Sequence, residues 1–424
     1  MAAVAAPITP SQIAIVKSTA PLLREHGVEI TTLFYGNMLR AHPELHNIFS
    51  DTSQATGRQA RALAGAVLAY AAHVDDLGRL AAAVERIAHK HASLGVTPAQ
   101  YAVVGEFLIP AVAAVLGPAA VTPAVAEAWT AAYGALADVF IRREAQLYAG
   151  FDADSDGGGW KEGWRRFRIQ RKVPESAEIT SFYLAPEDGR PLPLFRPGQY
   201  VSLHVFVAEL GYLQPRQYSL SDAPRSDYYR ISVKREEGKE DAGIPGLISN
   251  RLHAEYKEGD IVELSHPAGE FFVDPATLSS ESEAPLALIS AGVGITPMVS
   301  ILNSTVASGS RRPIAWVHGA HSSEVRAFGG HIRDVLAKNP NVEASVFLSQ
   351  VQKEKEVQGV DYHHEGRIDL DKLDPNKRLF LNDATAEYYV CGPFGFMSDI
   401  KTYLVAKGVD AGRVHMEVFG TGDE

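Results

Sequence analysis

Val84-Glu-Arg-Ile-Ala-His-Lys-His-Ala-Ser-Leu-Gly95 is the stretch on which the reading of this chain turns. Val84, Ile87, Ala88 and His91 recur at spacings of three and four, which is one face of an α-helix. Gly95 is a natural stop for that helix. An imidazole is therefore expected to point inward among alkyl side chains. His89, two positions away, falls about 200° round, on nearly the opposite face. A lone inward histidine is most often a satisfied core residue. A buried imidazole does need a partner, however, and haem iron is one of the few that suits it.

Composition narrows the classes. The 424 residues suffice for about two to three domains. With 46% hydrophobic and 21% charged residues the chain reads as an ordinary soluble globular protein. A formal charge of −11 argues against nucleic acid and leaves no basic patch for anionic lipid. No apolar run reaches spanning length, so no membrane insertion is expected. The start, Met1-Ala-Ala-Val-Ala-Ala-Pro7, lacks the basic leader of a signal peptide. The one cysteine, Cys391, excludes an internal disulfide and a cysteine-held iron–sulfur cluster. A cytoplasmic setting and a monomer are expected.

Periodicity divides the chain. Residues 1–148 are alanine-rich and helical in period. Thr9-Pro-Ser-Gln12 is a helix start, in which Thr caps, Pro fits the first turn and Gln bonds back. Thr97-Pro-Ala-Gln100 repeats it, and Thr122-Pro123 opens a long last helix through Trp129, Tyr133, Leu136, Phe140 and Glu144. Asp152-Ala-Asp-Ser-Asp-Gly-Gly-Gly159 reads as a hinge. From 160 to 277 the period is two: Phe167–Val173, Ile179–Leu184, Tyr200–Val205 and Tyr229–Val233 suggest a small antiparallel barrel. From 284 to 424 continuous apolar runs, Leu286–Ser290, Ile314–His318 and Tyr388–Cys391, alternate with helix-like stretches, as in a parallel sheet covered on both faces.

The helical third resembles a globin of the bacterial haemoglobin type. In that resemblance His91 is the proximal iron ligand, and Phe49 of Pro43-Glu-Leu-His-Asn-Ile-Phe49 packs on the haem. Tyr35 and Gln59 form the distal polar pair, and Leu63, at i+4 from Gln59, restricts the space beside it. A tyrosine hydroxyl aimed at bound oxygen would stabilise its negative charge. Tyr101 and Glu144 match the pair that orients the proximal histidine and makes it electron-rich. Read alone, Arg142-Arg143-Glu144 is equally a solvated helix end.

Arg216-Gln217-Tyr218-Ser219 resembles the R-x-Y-S fingerprint of the ferredoxin-NADP reductase superfamily. There the arginine pairs with the flavin pyrophosphate as a planar fork, and the tyrosine and serine meet the isoalloxazine and ribityl chain. Arg196-Pro-Gly-Gln-Tyr200 stands upstream, and Tyr200 matches a flavin contact. Gly246-Leu247-Ile-Ser249-Asn250 matches a glycine-led helix start facing the pyrophosphate. The charged insertion Glu236–Asp241 reads as a solvated loop. Phe419, near the end, either shields the flavin or is a terminal core residue.

Ser290-Ala-Gly292-Val-Gly294-Ile-Thr296-Pro297 follows an apolar strand. Its glycines permit a tight turn and close approach to phosphate, and Thr296 and Pro297 suit a helix entry. Pro297 stands where a Rossmann fingerprint has its third glycine, so the match is to the superfamily's G-x-G-x-T-P. Cys391-Gly392-Pro393 matches the second signature, close to the nicotinamide. A lone buried cysteine is otherwise a small hydrophobe. Nothing decides NADH against NADPH; Arg326 is the one candidate partner for a 2′-phosphate.

The order globin, flavin barrel, nicotinamide domain resembles the flavohaemoglobins of bacteria and fungi. That resemblance implies haem b, FAD and NAD(P)H as cofactors and dioxygen and nitric oxide as substrates. The implied activity is a nitric oxide dioxygenase producing nitrate and detoxifying nitric oxide. Two alternatives stand beside it: a reductase of ferric chelates, quinones or alkyl hydroperoxides, and a haem-based gas sensor or carrier.

Overall fold

The computed structural model describes residues 7–155, 160, 163–238, 245–278 and 282–419. Seven helices come first: α1 (Pro10–Ser18), α2 (Ala20–Ala41), α3 (Asp51–Ala55), α4 (Arg58–His73), α5 (Ala81–Leu94), α6 (Pro98–Ala120) and α7 (Pro123–Asp154). Their ends follow local chemistry. Thr9 Oγ1 accepts from Gln12 N at 3.3 Å while Gln12 Oε1 accepts from Thr9 N at 2.9 Å, a closed capping box. The same box forms at Thr97 and Gln100. α5 stops at Gly95, whose φ is 72°. Leu23, Ile30, Phe34, Met38, Trp129 and Ala132 fill the core.

Two expectations change here. α7 runs to Asp154, so Asp152–Asp154 of the expected hinge are helical. No proline follows Pro123 within α7, and its glycines, Gly134 and Gly150, weaken the helix without ending it. Residues 156–159 lie outside the described residues, as do 239–241 of the charged insertion. The second change concerns hydropathy: α6 and α7 are, by length and composition, long and apolar enough to cross a membrane. Both lend residues to the helical core, among them Leu108, Val112 and Trp129.

Six antiparallel strands follow: β1 (Trp164–Pro174), β2 (Ile179–Pro186), β3 (Tyr200–Val207), β4 (Tyr212–Ser219), β5 (Tyr229–Lys234) and, after α8 (Leu247–Ala254), β6 (Ile261–Ser265). Their spatial order is β4-β3-β6-β1-β2-β5. A bridge between Leu220 and Ile231 brings the two edge strands together and closes the barrel at one end. Phe167, Ile169, Phe182, Leu203 and Leu264 point inside. β4 and β6 escape the period-two reading. β4 carries Pro215 among polar residues, which only an edge strand tolerates.

The last part is β7 (Leu286–Ala291), α9 (Ile295–Ala307), β8 (Ile314–Ala320), α10 (Gly329–Lys338), β9 (Val342–Leu348), β10 (His364–Glu365), β11 (Glu387–Cys391), α11 (Phe394–Ala406) and β12 (Val414–Glu417). All pairings in this sheet are parallel, in the order β10-β9-β8-β7-β11-β12. Leu286 and Leu288 of β7 pack with Met298 and Val335 of α9 and α10. Ala287 and Ile289 pack with Met397 and Leu404 of α11 on the other face. Both faces are dry, which is why the run is continuously apolar.

The three parts touch through specific bonds. Leu213 N donates to Asn47 Oδ1 at 2.8 Å, and His46 stacks on Tyr212 with centroids 4.6 Å apart. Asn303 Nδ2 donates to Asp222 Oδ1 at 2.8 Å, joining α9 to the barrel.

Candidate functional site

Three helices converge on His91. Its Nδ1 lies 2.8 Å from Tyr101 Oη of α6 and 2.9 Å from Glu144 Oε1 of α7. The Tyr101 hydroxyl itself donates to Glu144. A carboxylate only accepts, so Nδ1 carries the proton and Nε2 keeps its lone pair. Burial, reinforced by Glu144, pushes the Tyr101 pKa up and keeps the hydroxyl protonated. The Glu144 side chain is 3% exposed against 32% for His91, so the carboxylate is buried behind a ring that still presents a free edge. Glu144 is therefore not a solvated helix end. This donor set fits one iron held through Nε2 of a neutral, oriented imidazole.

Tyr35 of α2 is buried, and its ring meets Phe49 edge-on at 5.5 Å. Gln59 Nε2 of α4 donates to Tyr35 Oη at 3.2 Å. The hydroxyl oxygen is thus an acceptor from Gln59, and its own hydrogen remains to be donated elsewhere. Burial pushes the Tyr35 pKa up to about 12. Leu63 packs beside the same cluster.

On the barrel, Ser219 Oγ is buried and has no hydrogen-bond partner among the described residues. An orphaned hydroxyl at the end of the R-x-Y-S segment is what a polar ligand atom would satisfy. Tyr200 and Tyr218 flank it, each with its pKa raised by burial. No side chain caps α8 after Gly246, so its first N–H groups are open to an anion. A flavin with a pyrophosphate fits this set. Some residues are engaged otherwise. The Arg216 guanidinium donates to Pro215 O at 2.6 Å and to Thr52 Oγ1 of α3 at 3.1 Å. Gln217 Nε2 donates to Ser202 Oγ at 3.0 Å. Asn250 Nδ2 donates to Glu236 O and Gly246 O, both at 2.7 Å, and Ser249 Oγ donates to Gly246 O at 3.3 Å. These two tie the start of α8 and its preceding loop together, and Leu247 packs on the barrel core.

In the parallel sheet, β7 lies between β8 and β11, where the chain order reverses. Ligands bind at such a switch point, beyond the strand carboxyl ends. Gly292, at φ 55°, turns the chain, and Thr296 and Pro297 enter α9. Cys391 ends β11 fully buried, its thiol pKa raised by burial; Gly392 follows and Pro393 caps α11. Arg326 Nη1 donates to the backbone carbonyl of Asp361 and is part of the fold rather than a free cation. Phe419 is exposed, so it is not a terminal core residue, and it lies beyond β12. Sequence reasoning sets His89 on the far side of α5 without assigning it a partner and passes over Ser93; both are buried. Their i,i+4 spacing opposite an apolar stripe is the signal that marks them.

Comparison with known proteins agrees with this division. A family profile described as Globin matches residues 32–140, and one described as Oxidoreductase NAD-binding domain matches residues 288–402. The chain is 49% identical to a flavohemoprotein of Bordetella pertussis over 417 residues, which covers 98% of this chain and 99% of that one. It is 44% identical to a flavohemoprotein of Rhizobium meliloti, covering 96% of each. Among solved structures it is similar to the flavohemoglobin of Malassezia yamatoensis with bound FAD and heme, with a TM-score of 0.81 and 27% identity over 98% of this chain and 100% of that one. It is also similar to the FAD/NAD binding domain of the nitric oxide dioxygenase of Vibrio cholerae, with a TM-score of 0.53 and 37% identity over 60% of this chain and 98% of that one.

Proposed function

The chain belongs to the flavohaemoglobin family, and we propose that it is an NAD(P)H-dependent nitric oxide dioxygenase that turns nitric oxide and dioxygen into nitrate. FAD, held by Tyr200, Arg216, Tyr218, Ser219 and the start of α8, would supply the conversion of a nicotinamide hydride into single electrons, and haem held by His91 would supply the centre for the two gases. The observation that carries the reading is the His91–Glu144–Tyr101 cluster, in one chain with a flavin barrel and a nucleotide sheet. A reductase built into the same chain suits an iron that is oxidised in every turnover, and a reductase of soluble acceptors has no use for a buried carboxylate behind an imidazole.

The residues divide the work. Gly292, Gly294, Thr296 and Pro297 are proposed to receive the dinucleotide phosphates, with Cys391, Gly392 and Pro393 beside the nicotinamide. Tyr200, Arg216, Tyr218, Ser219 and the start of α8 are proposed to hold FAD. Arg216 then exchanges its Thr52 bond for the pyrophosphate. His91 is the proposed iron ligand, and Glu144 holds the proton on its Nδ1 so that the imidazole stays oriented and electron-rich. Tyr35, protonated at any physiological pH, donates its hydroxyl hydrogen toward the gas site, while Gln59 holds its oxygen from behind. Phe49 and Leu63 limit the space there. The haem part is proposed to extend to Asp154, where α7 ends. A cytoplasmic setting supplies the NAD(P)H.

Steady-state nitric oxide consumption decides the matter. One nitrate formed per nitric oxide, at the expense of NAD(P)H and blocked by carbon monoxide, is expected. Undiminished NAD(P)H oxidation under carbon monoxide, with no nitrate formed, would mean a reductase of other acceptors. His91→Ala should lose haem and keep FAD.

A further inference from the structure

α5 has two polar faces. One presents His91, and the other presents His89 and, one turn on, Ser93. His89 Nδ1 accepts from the backbone N–H of Gly269 at 3.1 Å, across the boundary between helices and barrel. That leaves the proton on Nε2, which lies 3.2 Å from Glu85 Oε1. Glu85 is gripped in turn by Arg143 of α7, with bonds of 2.7 and 2.5 Å. At the other end, Ser93 Oγ and Ser202 Oγ of β3 are 2.8 Å apart.

Both ends of this seam reach β3, the strand that carries Tyr200. Ala268, the neighbour of Gly269, exchanges backbone bonds with Tyr200 at 2.9 and 2.8 Å. A Cβ on Gly269 would stand 3.0 Å from the Tyr200 ring, so that ring is packed directly on the backbone His89 holds. Gln217 closes the seam through Ser202. We propose that His89 and Ser93 are positioning residues for electron transfer: they lock the helix that carries His91 to the strand that carries Tyr200, and so set the separation of the two redox sites. This rests on the haem and flavin reading of His91 and Tyr200. Electron transfer slows exponentially as donor and acceptor move apart, so any slip of this helix against this strand is read directly in the rate of haem reduction.

The test uses the full holoprotein and two substitutions. His89→Phe keeps a ring and removes both nitrogens; His89→Asn keeps an acceptor near the Nδ1 position. In stopped flow with NADH, flavin reduction should be unchanged in both. Haem reduction should slow severalfold in His89→Phe and stay near the wild-type rate in His89→Asn. Amide hydrogen exchange of the segment 268–270 should accelerate in His89→Phe alone. The iron–histidine stretching band of the ferrous protein should not move in either. Ser93→Ala, a milder change, should slow haem reduction less than His89→Phe does. The proposal is overturned if His89→Phe reduces haem at the wild-type rate, if His89→Asn is slowed equally, or if the iron–histidine band shifts, since the effect would then run through His91. The readout is electron transfer, not nitrate formation, so it fails or stands separately from the dioxygenase reading.

Discussion

A Cβ placed on Gly294 would lie 2.2 Å from the carbonyl oxygen of Cys391. The two signatures of the nucleotide sheet, far apart in sequence, are pressed together backbone to backbone at the switch between β7 and β11. The obstacle is main chain on both sides, so no side-chain rotation relieves it.

Gly294→Ala should therefore cost about 1–3 kcal/mol of stability or more, as overpacking does. It should also abolish flavin reduction by NAD(P)H while leaving the haem spectrum intact. Thermal unfolding and stopped-flow flavin reduction check this. An alanine variant of wild-type stability that reduces its flavin normally would show that the contact is not tight.

Glu144→Leu removes the acceptor of the His91 Nδ1 proton. Loss of such an outer partner typically costs about 10- to 100-fold in metal affinity or activity. Haem loss to an excess of apomyoglobin should accelerate by that order, and the iron–histidine stretch should fall in frequency. If neither moves, Glu144 does not polarise the ligand.

Tyr35→Phe deletes the proposed donor to bound oxygen. A hydrogen bond to a charged acceptor is worth about 1.5–3 kcal/mol, so oxygen release should speed by roughly one to two decades. Flavin reduction, in another part of the chain, should stay as it was. The pH dependence has a definite sign. The Tyr35 pKa is raised from 10.0 to about 12, so the neutral hydroxyl is favoured in the folded state. Its contribution is complete below about pH 10 and is lost as pH rises toward about 12. The wild-type oxygen release rate should be flat from pH 6 to pH 9 for want of any titration of this group. Unaltered release in Tyr35→Phe would make Tyr35 a packing residue.

Ser219→Ala offers two effects of opposite sign. The buried hydroxyl has no partner among the described residues, so its removal should leave the flavin-free chain no less stable. FAD affinity should fall by about two- to tenfold, the worth of one neutral hydrogen bond. Equilibrium unfolding of the apoprotein and fluorimetric FAD titration separate the two. A destabilised apoprotein with unchanged affinity would place the hydroxyl in the fold rather than the site.

Much of this was legible in the chain itself. The helix with His91, its stop at Gly95, the two capping boxes, the dry strands β7, β8 and β11 and the two glycine signatures all follow from local spacing, because helix ends, turns and period are set by neighbours within a few residues. β4 was not legible, because its pattern is polar and broken by Pro215. Its strand state comes from pairing with β3 along its whole length. The expected hinge overlaps the helix for a related reason: aspartates alone do not end a helix, and α7 runs on through Gly150 to Asp154.

Sequence alone determined which residues are available and roughly which face of which element they occupy. Tertiary structure decided which of them meet. That His91 shares Glu144 with Tyr101, and that His89 receives the N–H of Gly269 across 180 positions, are matters of helices and loops packed from distant parts of the chain. No local propensity encodes such a distance. It follows from how the cores pack and from the cost of leaving a buried donor or acceptor unpaired.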